Sequence, residues 1–252
     1  MTGKQVRLAR LFARDRRSVV VALDHAQFRG PLRGLTPIRS IVELAVEGGA
    51  DGVILNPGAL PACAAAVAGR CGLIVRVTGA STDRNPTFDF HRTICSIPRA
   101  VALGADAVIA MGFVGGTGEA QSLAQLAELA EACCGLGVPL IAEMLPVDAE
   151  HFSDPEWIAL AVRAGAELGA DVIKAYTTGT DADCAAIDGC GVPFLAAGGL
   201  PSQNAIRIAE AAIQHGAAGV AFGRNVFEAA DPSGTVRELV RAVHGAVTEG
   251  EV

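Results

Sequence analysis

One amine stands where its neighbours in the chain suggest an apolar side chain. The sequence has eighteen arginines but only two lysines, and Lys174 lies inside the apolar run VIKAY. A short repeat shows how unusual that is. Gly49-Ala50-Asp51, Gly104-Ala105-Asp106, Gly169-Ala170-Asp171 and Gly216-Ala217-Ala218 each lead into an apolar run, and alignment on the glycine sets Lys174 against Ile54, Ile109 and Ala221. Arginine keeps its proton in proteins, whereas a buried lysine can shed it and attack a carbonyl carbon. The residue type at 174 therefore points to covalent carbonyl chemistry. A buried ion pair with Asp24 or Glu143 is the plainer alternative, and because such pairs add little stability it leaves the choice of lysine unexplained.

Companions follow from strand periodicity, in which residues two apart share a face. Lys174 shares one with Val172 and Tyr176, Glu143 with Ile141 and Leu145, Arg76 with Ile74 and Thr78, and Asp24 with Val20 and Ala22. Each polar residue falls near the end of its run. If those faces point inward, an amine, two carboxylates and a guanidinium meet at one place. His25 adjoins Asp24 and is placed either to touch substrate or to pack behind it. The last two runs end in glycine, at Gly198-Gly199 and at Gly223-Arg224. Backbone N–H groups freed of a Cβ, beside an arginine, suit a phosphate. Gly115-Gly116-Thr117-Gly118 is also glycine-rich but lacks the Gly-Lys-Ser/Thr ending of a nucleotide loop, and reads as a loop and helix cap.

The elements that must position these residues recur in order. Eight apolar runs of strand length span 19–24, 52–56, 73–79, 107–112, 139–146, 172–176, 193–199 and 219–224. Alanine-rich amphipathic stretches separate them, with helix-start signals at Ser153-Asp154-Pro155 and Pro201-Ser202. Continuous apolar strands alternating with helices mean a parallel sheet covered by helices. Eight equivalent units predict the α/β class and a (β/α)8 TIM barrel forming a single domain over 1–252, whose site lies at the C-terminal ends of the strands. An open doubly wound sheet is the alternative, weakened by the lack of GxGxxG after the first run. The stretch from Ala80 to Arg99 is long for a loop and is expected to carry extra structure near the barrel mouth.

Composition narrows the partners. Apolar residues make up 51% of the chain against 19% charged, which excludes intrinsic disorder. A net charge of −7 opposes binding to nucleic acid or to an anionic membrane, so any phosphate must be met by local donors. No apolar stretch is long enough for a membrane span or a signal peptide, and a cytoplasmic protein is expected. The seven cysteines form no CxxC pair and read as reduced thiols, and the five histidines show no metal-ligand spacing. No metal and no cofactor is expected.

The segments ALDHAQFRGP, GADVIKAYTTG, PFLAAGG and GVAFGRNVF together resemble the class I aldolases of the archaeal fructose-bisphosphate aldolase type. That group also includes 2-amino-3,7-dideoxy-hept-6-ulosonate synthase and the autoinducer-2 phosphate thiolase. The resemblance runs in order from about residue 6 to residue 245. It implies that Lys174 forms a Schiff base, that Asp24 assists it, that Gly198, Gly199, Gly223 and Arg224 line a phosphate site, and that the protein is a homo-oligomer, often a decameric ring in such relatives. Two departures stand out. Where the fructose-bisphosphate aldolases carry aromatic-x-Tyr-Pro-Arg-Gly, this chain reads Glu143-Met144-Leu145-Pro146-Val147-Asp148, so Leu145 replaces the tyrosine. A Lys-x-x-Tyr-Thr-Gly pattern has become Lys174-Ala175-Tyr176-Thr177-Thr178-Gly179, which moves the only tyrosine of the chain onto the face of the lysine.

These readings together predict a Schiff-base enzyme that makes or breaks a carbon–carbon bond in a phosphorylated ketose-like substrate other than the glycolytic one. Glu143 is the expected proton-transfer group, with Asp24 or Tyr176 as substitutes. His25, Arg76, the glycine loops and Arg224 are expected on the substrate side. Acyl transfer on a phosphorylated dione is a second possibility. A phosphate-binding isomerase, with Glu143 as an ordinary base and Lys174 as a purely electrostatic group, is a third.

Overall fold

The computed structural model describes residues 2–85, 89–147, 150–199 and 204–245. In chain order the strands are β1 (Ser18–Ala22), β2 (Gly52–Leu55), β3 (Gly72–Arg76), β4 (Thr78–Gly79), β5 (Arg92–Thr93), β6 (Ala107–Val114), β7 (Leu140–Pro146), β8 (Val172–Tyr176), β9 (Phe194–Ala197) and β10 (Gly219–Phe222). Eight of them close a parallel barrel in the order β1, β2, β3, β6, β7, β8, β9, β10, with β10 returning to β1. All eight expected runs are barrel strands, and the differences lie at their ends. The third run stops at Arg76, and Thr78–Gly79 turns aside to pair antiparallel with Arg92–Thr93, so part of the long stretch after Ala80 is the return arm of a small hairpin. The fourth run extends to Val114 because β7 pairs with it as far as Pro146. The helix-start signal at Pro201-Ser202 lies outside the described residues. The next described helix, Ala205–Gln214, is capped by Asn204, whose Oδ1 accepts from the N–H groups of Ile206 and Arg207.

Two apolar layers result from the strict alternation of these strands. Outward residues such as Val19, Val21, Val53 and Leu55 pack against the helices. Inward residues Val20, Ala22, Ile54, Ile74, Ile109, Ile141, Val172, Leu195 and Ala221 fill the barrel. Small and branched side chains suit that narrow interior, which explains the scarcity of aromatics.

The Gly-Ala-Asp repeat seals the N-terminal end. Gly49, Gly104, Gly169 and Gly216 all take left-handed backbone, with φ between 92° and 96°, which ends each helix and turns the chain into the next strand. The aspartate that follows reaches back to the previous strand: Asp51 accepts from Val19 N–H at 2.7 Å, Asp106 from Leu73 at 3.0 Å and Asp171 from Leu140 at 2.8 Å. Each aspartate also meets a cationic or basic side chain. Lys4 bonds Asp171 at 2.7 Å and Arg10 bonds Asp106 at 2.8 Å. His244, at the end of helix Pro232–His244, lies 3.0 Å from Asp51 and 2.8 Å from Asp15. The N-terminal arm is therefore a stopper, with Leu11 pushed into the barrel interior beside Leu8 and Phe12. Among the described residues no helix is long and apolar enough to cross a membrane.

Hydrogen bonds to Asp51 and Asp15 raise the His244 pKa above its ordinary value of 6.5 against the opposing effect of burial. A raised folded pKa means that this clasp stabilises fully below the unfolded value and fades as pH rises through the folded one. The melting-temperature gap between the wild type and His244→Gln should therefore be wider at pH 6 than at pH 9, by a few degrees for a contribution of about 1 kcal/mol. Differential scanning calorimetry at the two pH values checks this; a gap independent of pH would contradict it.

Candidate active site

Directly above the last inward apolar residue on four strands sits a charged one. Arg76 follows Ile74, Glu143 follows Ile141, Lys174 follows Val172, and Asp24 lies two residues past Ala22. Register sets Glu143 beside Lys174, whose other flank is Leu195. The four side chains form a string of alternating sign. Lys174 Nζ donates to Glu143 Oε1, and Arg76 Nη2 donates to Glu143 Oε2. Arg76 also reaches Asp24 Oδ2, through Nε at 2.7 Å and Nη2 at 2.6 Å. All four are buried, with relative exposures of 1% for Asp24, 2% for Arg76, 6% for Glu143 and 5% for Lys174. Burial of four charges is tolerable because the string sums to zero and each charge has an opposite partner, although Arg76 Nη1 is buried without a hydrogen-bond partner.

The string sets the charge states around it. Burial alone would raise the Glu143 carboxyl, but Lys174 and Arg76 outweigh it and hold the group well below the usual carboxylate range. Arg76 is held charged by Asp24 and Glu143 in spite of its burial. His25 lies 3.6 Å from Asp24, yet desolvation dominates and lowers its pKa to about 4, so the imidazole is neutral near pH 7. Asn56 Nδ2 donates to the Asp24 carbonyl at 2.7 Å and fixes the loop that carries Asp24 and His25.

Above the string opens a small cleft lined by His25, Glu143, Lys174, Tyr176, Gly198, Gly199, Gly223, Arg224 and Asn225. Asp24 and Arg76 are not part of that lining and lie beneath it. The glycines are needed for close approach. A Cβ on Gly223 would come within 2.4 Å of His25 Cε1 and 2.8 Å of the Ala22 carbonyl oxygen, and one on Gly198 within 2.9 Å of the Phe222 ring. Arg224 Nη2 donates to the Gly199 carbonyl at 3.0 Å and Asn225 Nδ2 donates to that of Gly198, so the two loops are tied together. Tyr176 closes one side, its ring 4.4 Å from that of Phe152, in an apolar group with Met111, Phe113, Leu145 and Val147. Leu145, already read as a departure from the family pattern, thus supplies packing.

Some participants escaped the sequence. Asn225 stands directly after Gly223-Arg224 and could have been nominated by that adjacency. His91 had no signal: the hairpin after β3 folds it inward, where it is 1% exposed and edge-on to Phe113 at 5.2 Å. Burial, reinforced by Arg76, lowers its pKa to about 4. The Gly115–Gly118 loop is closed by a protein carboxylate, since Asp89 accepts from Thr117 Oγ1 at 2.7 Å and Gly118 N–H at 3.0 Å. A larger cavity of about 1120 Å³ at the opposite end of the barrel is lined by residues such as Leu60, Val67, Leu73 and Leu103. It offers no activated nucleophile, because burial raises the nearby Cys71 thiol to about 11.

Comparison with known proteins gives the family and the fold. Residues 18–229 match the DeoC/LacD family of aldolases. A 2-amino-4,5-dihydroxy-6-oxo-7-(phosphonooxy)heptanoate synthase of Streptomyces griseus is 34% identical over 98% of this chain and 93% of its own. A 2-amino-3,7-dideoxy-D-threo-hept-6-ulosonate synthase of Archaeoglobus fulgidus is 33% identical over 100% of this chain and 95% of its own. An archaeal fructose-1,6-bisphosphate aldolase, solved with its catalytic lysine covalently bound to the carbinolamine intermediate of the substrate, superposes with a TM-score of 0.88 at 28% identity, covering 96% of this chain and 100% of that one.

Arg76→Met would leave Asp24 and Glu143 buried without their shared partner. The expected cost is about 3–5 kcal/mol in denaturant unfolding near pH 7. Glu143, depressed in the wild type, contributes stability that is present above its ordinary 4.5 and lost as pH falls through its lowered value, and the variant lacks part of it. The two unfolding curves should therefore converge toward acid pH. For His25, a ¹⁵N NMR titration should show a neutral ring at pH 6 and protonation near pH 4; a ring charged at pH 6 would contradict the burial argument.

Proposed function

The chain belongs to the DeoC/LacD family of aldolases and is a class I aldolase acting on carbon–carbon bonds, and on that premise we propose that Lys174 is its Schiff-base residue and that the glycine loops hold the phosphate of its donor ketone. The observation that carries the assignment is the position of Lys174: it is the lysine inside the barrel, hydrogen-bonded to a carboxylate at the floor of the glycine-walled cleft, while the other lysine, Lys4, is bonded to Asp171 at the far end.

Attack requires the amine without its proton, and Glu143 on Nζ is the group in place to take it. Addition to the donor carbonyl gives a carbinolamine, and loss of water gives an iminium that draws electrons from the adjacent bond. Glu143, having given its proton to the departing water, takes one from the neighbouring carbon to yield an enamine, which adds to an aldehyde carbon; hydrolysis then frees the lysine. The reverse sequence is cleavage. Tyr176, on the same face as Lys174, is the proposed proton donor to the new hydroxyl, taking the place left by Leu145, and Glu143 is the alternative. Gly198, Gly199, Gly223, Arg224 and Asn225 bind the phosphate, with neutral His25 beside them as a hydrogen-bonding group. Arg76, occupied by two carboxylates, and Asp24 set the position and charge of Glu143.

The product named for the Streptomyces relative carries a ketone next to its phosphorylated carbon and a hydroxyl two carbons beyond. Retro-aldol cleavage of such a compound releases dihydroxyacetone phosphate, which is the donor proposed for this chain. The iminium supplies the electron sink, so the mechanism asks for neither metal nor cofactor. The same family resemblance supports a homo-oligomer.

Incubation with dihydroxyacetone phosphate and borohydride, followed by peptide mass spectrometry, should place a reduced adduct on Lys174, and Lys174→Met should be inactive and unlabelled. Tyr176→Phe should retain the adduct but slow turnover by about 10²–10⁴-fold. Turnover by Lys174→Met, or unchanged turnover by Tyr176→Phe, would refute the respective role.

A further inference from the structure

His91 and the glycine-rich loop Gly115–Gly118 take no part in the carbon–carbon chemistry, yet one short segment joins them. Residues Asp89–Thr93 include β5 and return alongside Thr78–Gly79. Resting on the Schiff-base reading above, we infer that Asp89–Thr93 is a strap moored on helix Glu119–Leu136, that it presses His91 inward to keep water from the Arg76–Glu143 pair, and that His91 is thereby a positioning residue for the reaction at Lys174.

The moorings lie at both ends of the strap. Asp89 Oδ2 accepts from Thr117 Oγ1 at 2.7 Å and from Gly118 N–H at 3.0 Å, at the start of that helix. Further along it, Gln125 Nε2 donates to the His91 carbonyl at 2.7 Å, and Gln125 Oε1 accepts from Thr93 N–H at 3.0 Å. The glycines make room for this contact. A Cβ on Gly116 would come within 2.9 Å of Asp89 Cβ, and one on Gly118 within 2.9 Å of both the Asp89 carbonyl oxygen and Phe90 Cβ. Neither glycine has a positive φ, so close packing, and not chain conformation, accounts for both.

Held in this way, the His91 ring is buried edge-on to Phe113 and lies within electrostatic reach of Arg76, Glu143 and Asp24. Opposite charges attract more strongly where water is kept away. The ring suits that place because burial, helped by Arg76, keeps a proton off it, so it covers the pair without adding a charge.

The charged and titratable groups around Glu143 are Lys174 and Tyr176 from β8, Arg76 from β3, Asp24 and His25 from the loop after β1, Arg224 across the cleft, and His91 from the strap. Burial raises the Glu143 carboxyl, while Lys174 and Arg76 lower it and prevail. Water admitted past a loosened strap weakens both influences, so the group relaxes upward toward its ordinary 4.5.

The test uses Gln125→Leu and Gly118→Ala, which leave every one of those groups in place, together with His91→Ala and His91→Phe. In enzyme carrying ¹³C at the glutamate side-chain carboxyls, the Glu143 signal, assigned by Glu143→Gln, should not titrate between pH 7 and pH 4 in the wild type. In Gln125→Leu, Gly118→Ala and His91→Ala it should begin to titrate in that window. Their kcat at pH 7 should fall about tenfold, with the donor KM within about twofold of the wild type. His91→Phe, which keeps an uncharged ring, should restore both the titration and the turnover. A Glu143 signal unmoved down to pH 4 in folded Gln125→Leu and Gly118→Ala overturns the inference, as does a His91→Phe enzyme that behaves like His91→Ala. Absence of any borohydride-trapped donor adduct in the wild type instead overturns the Schiff-base reading, and the titration still decides whether the strap shields Glu143.

Discussion

Arg76 reaches two carboxylates from different strands at once, and the mouth of the barrel is arranged around that contact. Asp24 and Glu143 would be left without a cation between them if Arg76 were absent; with the guanidinium in place each is paired with it out of water. Glu143 then has one oxygen for Arg76 and one for Lys174. The lysine, at the floor of the cleft, is in turn held by Glu143 until a carbonyl compound competes for it. Replacing the string with apolar residues of similar volume would be the more stable choice on general grounds. Its presence is therefore a cost of holding an amine and a carboxylate together inside the barrel.

Division of labour between the two ends of the barrel makes that arrangement affordable in structural terms. At the N-terminal end, Asp51, Asp106 and Asp171 each join two neighbouring strands and bond a side chain from a terminal segment, and Leu11 fills the opening. At the C-terminal end the same strands finish in Gly198-Gly199 and Gly223, where absent side chains leave room for a ligand and for His25. A barrel built from equivalent units can thus depart from equivalence at one layer only.

The sequence made that layer legible because of the repeat. Alignment on Gly169 exposed Lys174 as a foreign residue among Ile54, Ile109 and Ala221, and those three do line the barrel interior. Period-two alternation then aimed Arg76 and Glu143 correctly, since their inward neighbours Ile74 and Ile141 are core residues. What alternation could not convey is pairing across strands. That Arg76 is taken up by Asp24 and Glu143 beneath the cleft, away from its lining, depends on side chains 52 and 67 residues away in sequence. His91 was hidden for a related reason: its loop returns through the two-residue pairing of β4 with β5, too short to leave a pattern.

The central claim, that Lys174 is the covalent group, is open to direct observation because the chain has only two lysines. Enzyme labelled with ¹⁵N at lysine Nζ should give two side-chain signals, assigned by Lys4→Arg. On addition of dihydroxyacetone phosphate without any reductant, the account predicts that the signal of Lys174 moves into the imine region while that of Lys4 stays. Carbon–carbon bond turnover with both signals unmoved, or with the shift on Lys4, would contradict it.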